Sequence, residues 1–171
     1  MDAINVVADL MALSARTAPK AKGEDCLDIK VATPQERGAI AEEMIVHGSK
    51  KGADRKFIRD GRNLQESDGL LLIGLGEHES AGLNCGACGS SCSERVQKKD
   101  GAYAGPNCCL RLLDLGIAIG SAVKTASNHN VDNRVMYRVG VIARRLGVMD
   151  ANVVVGIPLS ASGKSIYFDR S

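Results

Sequence analysis

Asn107-Cys108-Cys109-Leu110-Arg111-Leu112-Leu113-Asp114-Leu115-Gly116-Ile117-Ala118-Ile119-Gly120-Ser121-Ala122-Val123-Lys124-Thr125-Ala126-Ser127 is the stretch on which the architecture turns. Leu110, Leu112, Leu113, Leu115, Ile117, Ile119 and Val123 surround the axis of a helix drawn through it. A helix that is apolar all round is a buried one, so residues 107–127 read as a long, nearly fully buried central helix. Arg111, Asp114 and Lys124 exclude a bilayer span, and no other segment offers the run of about 20 apolar residues that a span needs. Gly116 and Gly120, with Ala118 and Ala122, leave room for a close helix neighbour, because glycines that cost helix stability signal tight packing. The two clear buried strands of one chain are too little cover for such a helix. The expectation is therefore a homodimer built on it.

Immediately before the helix stand two thiols, Cys108 and Cys109, and a third of the way back lies a denser group. Gly82-Leu83-Asn84-Cys85-Gly86-Ala87-Cys88-Gly89-Ser90-Ser91-Cys92 places three cysteines within eight residues, separated by glycine and small side chains. Thiolates at this spacing can converge on one metal or cluster, since a Gly-rich loop folds back on itself without side-chain clashes. Glycines beside the ligands also leave N–H groups free to point at sulfur, which tunes a cluster's potential. The pattern C-x2-C-x3-C followed by Cys108 is neither of the common ferredoxin spacings nor the paired C-x2-C of a zinc ribbon. Cys85, Cys88, Cys92 and one of Cys108 or Cys109 are the candidate ligands of an iron–sulfur cluster. Zinc as a structural staple, and redox-active or simply buried thiols, are the alternatives. Cys26 lies far from the loop in sequence and is not counted as a ligand.

Further out, local patterns place the remaining elements. Residues 2–16 form an amphipathic helix with Ile4, Val7, Ala8, Met11 and Ala15 on one face. The segment Ala15–Gly23 breaks at Pro19 and carries three cations, as a linker or a phosphate-cradling loop would. Cys26 to Val31 alternates as a half-buried strand. Thr33-Pro34-Gln35-Glu36 is a capping-box helix start, and Ile40, Ala41, Met44 and Ile45 supply the buried stripe of that helix. A short helix from about Asp54 follows a run of six cations, Lys50, Lys51, Arg55, Lys56, Arg59 and Arg62. The run reads as a solvated face, with an anion-binding role as the alternative. Leu70–Gly74 and Asn152–Pro158 read as strands covered on both faces. Between them, Asp132 is the expected cap of a helix whose stripe is Val135, Met136, Val139, Ile142, Ala143 and Leu146, with Arg134, Arg138 and Arg145 outside. Residues 162–170 read as a loop ending in a short edge strand.

Composition narrows the function classes. The chain has 171 residues, 44% hydrophobic and 25% charged, with a formal net charge of +2. That is one globular domain, 1–171, with the cysteine-rich loop 82–109 inside it. The charge is too near neutral to argue for nucleic acid, and three Tyr, two Phe and no Trp give no base-stacking platform. Met1–Asn5 lacks a basic leader, so six cysteines favour metal or redox use in a reducing cytoplasm over a disulfide framework. His47, His78 and His129 have no ligand-spaced neighbours. No acid–base pair or Ser/His/Asp grouping suggests a hydrolase.

Two resemblances meet in these residues. Arg16-Thr17-Ala18-Pro19-Lys20, Arg59-Asp60, Gly82-Leu83-Asn84-Cys85-Gly86, Asp114-Leu115-Gly116-Ile117-Ala118 and Val131-Asp132-Asn133-Arg134 together resemble a prokaryotic family described as containing a ferredoxin domain. The segment Thr17-Ala18-Pro19 after a first helix, the helix at Asp114–Ala118, and Val153-Val154-Val155-Gly156-Ile157-Pro158 followed by a distal basic residue are similar to nitroreductase-type flavoproteins. The likeness implies an α+β fold with a small mixed sheet flanked by helices, a dimer, and FMN held between protomers. Arg16, Thr17, Pro19, Lys20, Lys164 and Arg170 are then the residues implied at the flavin. The family's N-terminal Arg-rich phosphate element and its Asn-x-Gln-Pro-Trp sequence are absent, and Lys20 stands where a serine is usual. The resulting expectation is a redox protein carrying an iron–sulfur cluster, with or without FMN, that exchanges electrons with an unknown partner. A non-enzymatic electron carrier or metal-binding module on the same scaffold is the alternative.

Overall fold

A computed structural model describes residues 3–168. The chain runs α1 (Ala3–Thr17), a 3-10 turn (Ala21–Gly23), β1 (Leu27–Val31), α2 (Pro34–Ser49), α3 (Lys56–Gln65), β2 (Gly69–Leu75), α4 (Cys109–Asn128), β3 (Asp132–Asn133), α5 (Tyr137–Arg145) and β4 (Val153–Ser160). The strands form one sheet in the order β1-β2-β4-β3. The α+β fold with a small helix-flanked sheet is as expected, but every pairing is antiparallel, so the sheet is not mixed.

Strand β2 organises the core because all seven of its residues are buried. Side chains alternate across a strand. Leu71, Ile73 and Leu75 accordingly meet α1 and α4 through Met11, Ala15, Ala118 and Ala122. Leu70 and Leu72 meet α2, α3 and α5 through Met44, Leu64, Val139 and Ile142. On that second side α5 lies against β4 with no side chain between them: a Cβ added to Gly140 would stand 1.7 Å from the Val154 carbonyl oxygen. The start of α2 is closed by the expected capping box, in which the Glu36 N–H donates to Thr33 Oγ1 at 3.2 Å and the Thr33 N–H to Glu36 Oε2 at 2.9 Å.

Three local expectations change. Asp132 does not cap a helix: Asp132 and Asn133 pair with Ser160 and Leu159 as an edge strand, and α5 begins only at Tyr137. Residues 162–168 hold a turn that buries Tyr167, whose hydroxyl lies 2.9 Å from that of Ser67, and no strand forms among these described residues; 169 and 170 lie outside them. The helix α4 is covered on one side only. Leu115, Ala118, Ala122 and Ala126 are buried, while Leu112, Leu113 and Ile117 are 40%, 55% and 45% exposed. Among the described residues no helix is long and apolar enough to cross a membrane.

Candidate functional site

The thiols lie on the long connection from β2 to α4. Four residues of its first part, Gly82, Asn84, Gly86 and Gly89, adopt positive φ, a conformation that glycine takes without steric cost. Asn84, the one with a side chain, uses it: its Oδ1 accepts the Cys92 N–H at 2.9 Å, and its own N–H donates to Cys92 Sγ at 3.4 Å. A turn from the Gly89 N–H to the Gly86 carbonyl, 2.9 Å, carries Cys88 round to face Ser90. Cys85 is exposed, Cys88 and Cys92 are half-buried, and all six cysteines are free thiols.

Cys108 enters this region as the residue that opens α4. It is 6% exposed and sits where the unpaired N–H groups and positive end of the helix dipole favour an anion. Burial pushes its thiol up, but the N–H groups of Ala81, Arg111 and Leu110, with the Arg111 charge, outweigh burial and bring it below the ordinary thiol value. Cys92 is lowered too, first by the hydrogen bond from Ser80 and then by the Asn84 N–H, against an opposing effect of the Cys108 thiolate. Cys109 is half-buried in the first turn of α4. Cys26 goes the other way, pushed up by burial. Among the described residues no three His, Cys, Asp or Glu side chains converge as a metal-holding group. Cys85, Cys88 and Cys92 share one loop, and Cys108 stands at the start of α4.

Charged side chains that the sequence did not single out wall this site. The Arg111 side chain is 1% exposed; it is paired with Glu24 and, at 3.5 Å, with Asp114, and it donates to the Ala21 carbonyl at 3.0 Å. Asp114 accepts the Ala21 N–H at 2.8 Å, so the turn after α1 is clamped to the first turn of α4. On the other side Arg95 donates to the carbonyls of Pro106 (3.0 Å) and His78 (3.2 Å). The His78 ring, with Nδ1 at 2.9 Å from the Gly76 carbonyl, accepts the Cys108 N–H at 3.4 Å on Nε2. Arg111 and Asp114, three apart on an otherwise apolar helix, were the legible trace of this network in the sequence.

Of the residues implied at a flavin phosphate, Arg16, Thr17 and Lys20 make contacts within the chain. Lys20 Nζ, on a side chain 5% exposed, donates to the carbonyls of Arg16 (2.7 Å), Ala18 (2.9 Å) and Ala15 (3.3 Å), closing the C-terminal end of α1. Arg16 is spent on Asp25 (2.6 Å) and the Leu27 carbonyl (2.8 Å). Thr17 Oγ1 donates to the Leu13 carbonyl at 3.0 Å, and Thr17 and Pro19 line an open cleft of about 320 Å³ with Ser121, Lys124 and Thr125. Lys164 follows β4 beyond Ser160, at the opposite end of the sheet from Leu27 and Arg16. Arg170 lies outside the described residues.

Residues 104–170 match a family described as an uncharacterized protein containing a ferredoxin domain. A protein of Archaeoglobus fulgidus, described as an uncharacterized protein, is 47% identical over 173 residues, covering 99% of this chain and 93% of that one. The chain belongs to this ferredoxin-domain family. The matched span holds Cys108 and Cys109, while Cys85, Cys88 and Cys92 precede it. In three dimensions the family member is similar to a nitroreductase with bound FMN from Desulfitobacterium hafniense, with TM-score 0.63, 11% identity, and 94% of this chain and 79% of that one covered. The FMN-dependent nitroreductase NfnB from Mycobacterium smegmatis, in complex with NADPH, gives TM-score 0.61 at 10% identity, covering 97% of this chain and 82% of its own. A nitroreductase family protein from Clostridium novyi gives 0.58 at 14% identity, covering 94% and 77%. The fold is nitroreductase-like.

Proposed function

We propose that this chain is an electron-transfer module of the reducing cytoplasm, in which a nitroreductase-like scaffold carries an iron–sulfur cluster on Cys85, Cys88, Cys92 and Cys108. The observation that carries the reading is the loop itself: the two hydrogen bonds between Asn84 and Cys92 close the turn that bears Cys85, Cys88 and Cys92, and Cys108 stands at the positive end of α4. Soft thiolate donors suit iron–sulfur chemistry and zinc alike. The N–H groups aimed at sulfur favour the cluster, because they stabilise the added negative charge of a reduced site. The bound cluster would supply one-electron transfer. The residues of the chain hold its thiolates, keep Cys108 out of water, and place the exposed Cys85 side toward a redox partner. The family description of a ferredoxin domain supports the same assignment. Of the two adjacent thiols we assign Cys108 as the ligand, since it is buried at the start of α4 where Cys109 is only half-buried.

Commitment of Arg16 and Lys20 within the protomer favours a carrier over a flavoenzyme. The functional unit is a homodimer across the uncovered side of α4, where Leu112, Leu113, Gly116, Ile117 and Gly120 are exposed. Space for a partner is open there, for a Cβ added to Gly116 or Gly120 meets nothing within 4 Å. Flavin retention separates the two redox readings. Protein reconstituted with FMN and desalted retains none if it is a carrier, and stoichiometric retention would restore the flavoenzyme.

A further inference from the structure

The basic run that joins α2 to α3 takes no part in the thiol loop. Residues 50–62 hold six cations and two acids, a net +4 in a chain whose total is +2. Both acids are already spent. Asp54 accepts the Lys56 N–H at 2.9 Å and two Arg138 donors at 2.7 and 3.1 Å. Asp60, its side chain 4% exposed, is held between Arg59 at 2.6 Å and Arg138 at 2.9 Å. Lys50, Lys51 and Arg55 are left over: among the described residues their side chains make no ion pair and no hydrogen bond. All three line one cleft of about 390 Å³, together with Gly48, Gly52 and Ile58. The loop is a turn closed by the Ala53 N–H on the Lys50 carbonyl at 3.1 Å, with Gly52 at φ 81°. The N–H groups of its two central residues, Lys51 and Gly52, also make no hydrogen bond among the described residues. Successive free N–H groups in a turn are a recurrent anion-binding arrangement. The wall behind them has no slack, since a Cβ added to Gly48 would stand 2.9 Å from both Phe57 Cβ and Ile58 Cγ1.

We propose that this cleft is a binding site for a diphosphate group. A concavity lined by one sign of charge concentrates the potential that attracts a counter-ion, and here the neighbouring carboxylates are turned to Arg59 and Arg138. Lysine serves phosphate as a point charge, and Arg55 adds a forked donor. A single phosphoryl group carries about −1.5 to −2 at pH 7, so three unpaired cations and two free N–H groups are matched by two linked groups better than by one. A nucleic-acid backbone is served poorly, because Arg59 and Arg138, the cations that would carry a basic track onto α3 and α5, are neutralised by Asp54 and Asp60. The site stands apart from the cysteines and needs no iron.

Calorimetric titration of the full-length protein with sodium pyrophosphate tests this, at constant ionic strength and without magnesium, with orthophosphate, sulfate and ADP as the other titrants. One pyrophosphate is expected per chain, bound about tenfold or more tightly than orthophosphate or sulfate. Lys51→Gln and Arg55→Gln should each weaken it about tenfold, as loss of a charge-assisted hydrogen bond implies. Arg62→Gln removes the same charge from α3 outside the cleft lining and should leave the affinity unchanged. All three side chains are exposed, so the variants keep the fold. Tighter binding of ADP than of pyrophosphate identifies an organic diphosphate as the source, and weaker binding the free anion. Three results overturn the proposal: no pyrophosphate binding at about 1 mM, sulfate bound as tightly as pyrophosphate, or Arg62→Gln as damaging as Lys51→Gln. The second would mark an adventitious ion only, and the third a diffuse charge without a site.

Discussion

Ile117→Glu tests the dimer with little risk to the protomer. Ile117 is 45% exposed on the uncovered side of α4, so its replacement removes little from the core of one chain. Surface changes of this kind move folding stability by about 0.5 kcal/mol or less. The interface is where the cost falls. Fully burying an isoleucine is worth about 1.5–3 kcal/mol, so removing the remaining half from water contributes about 1 kcal/mol. A carboxylate forced into the same apolar contact adds a desolvation penalty, taken conservatively as about 2 kcal/mol. A two-fold interface uses the same patch on both subunits, so the substitution counts twice and costs about 6 kcal/mol. At 1.4 kcal/mol per decade that is roughly 10⁴-fold in the dimer Kd. Sedimentation equilibrium across a concentration series reads it directly, with circular dichroism to show an unchanged fold. A dimeric wild type and a monomeric Ile117→Glu at tens of micromolar are expected. A monomeric wild type, or an Ile117→Glu dimer of unchanged affinity, would refute the reasoning.

Three further outcomes follow from individual contacts. Gly140→Ala should cost about 3 kcal/mol or more in urea denaturation, because its Cβ would meet the Val154 backbone and α5 must lift from β4. Glu36 is held below its ordinary value, first by the hydrogen bond from Lys30 at 2.5 Å and then by the Thr33 N–H. The depressed carboxyl contributes stability that is full above the ordinary glutamate range and lost as pH falls through its folded value. Glu36→Gln should flatten the acid side of the urea-midpoint profile, and an unchanged slope would remove this group from the account. Cys108→Ser should abolish iron incorporation while Cys26→Ser and Cys109→Ser leave it intact, as iron content per protein will show.

Legibility in the sequence followed the range of the interaction. The capping box at Thr33 and Glu36 was readable because both partners lie within one turn. The buried stripe of α1 and the strand at Leu70–Ile73 were readable because periodicity records a face directly. Asp132 misled because its local cap chemistry competes with a pairing to Ser160, 28 residues away, which no local pattern reveals. In α4 the all-round apolar pattern read as a nearly fully buried helix, whereas one chain buries only the Leu115–Ala118–Ala122–Ala126 side. Lys20 and Arg16 resembled phosphate ligands because sequence displays charge and hides what it is spent on. Here those charges cap α1 and pair with Asp25. The cysteine loop stood out by its spacing alone. The contacts of Arg95, His78 and Glu24 did not, since those residues arrive from separate segments, and Arg111 showed only as a charge on an apolar helix.

Iron and acid-labile sulfide in protein purified without oxygen test the central claim most directly. The account predicts both in comparable amounts, a broad visible absorbance that bleaches in air, and loss of all three in Cys92→Ser. Stoichiometric zinc with neither iron nor sulfide would contradict it.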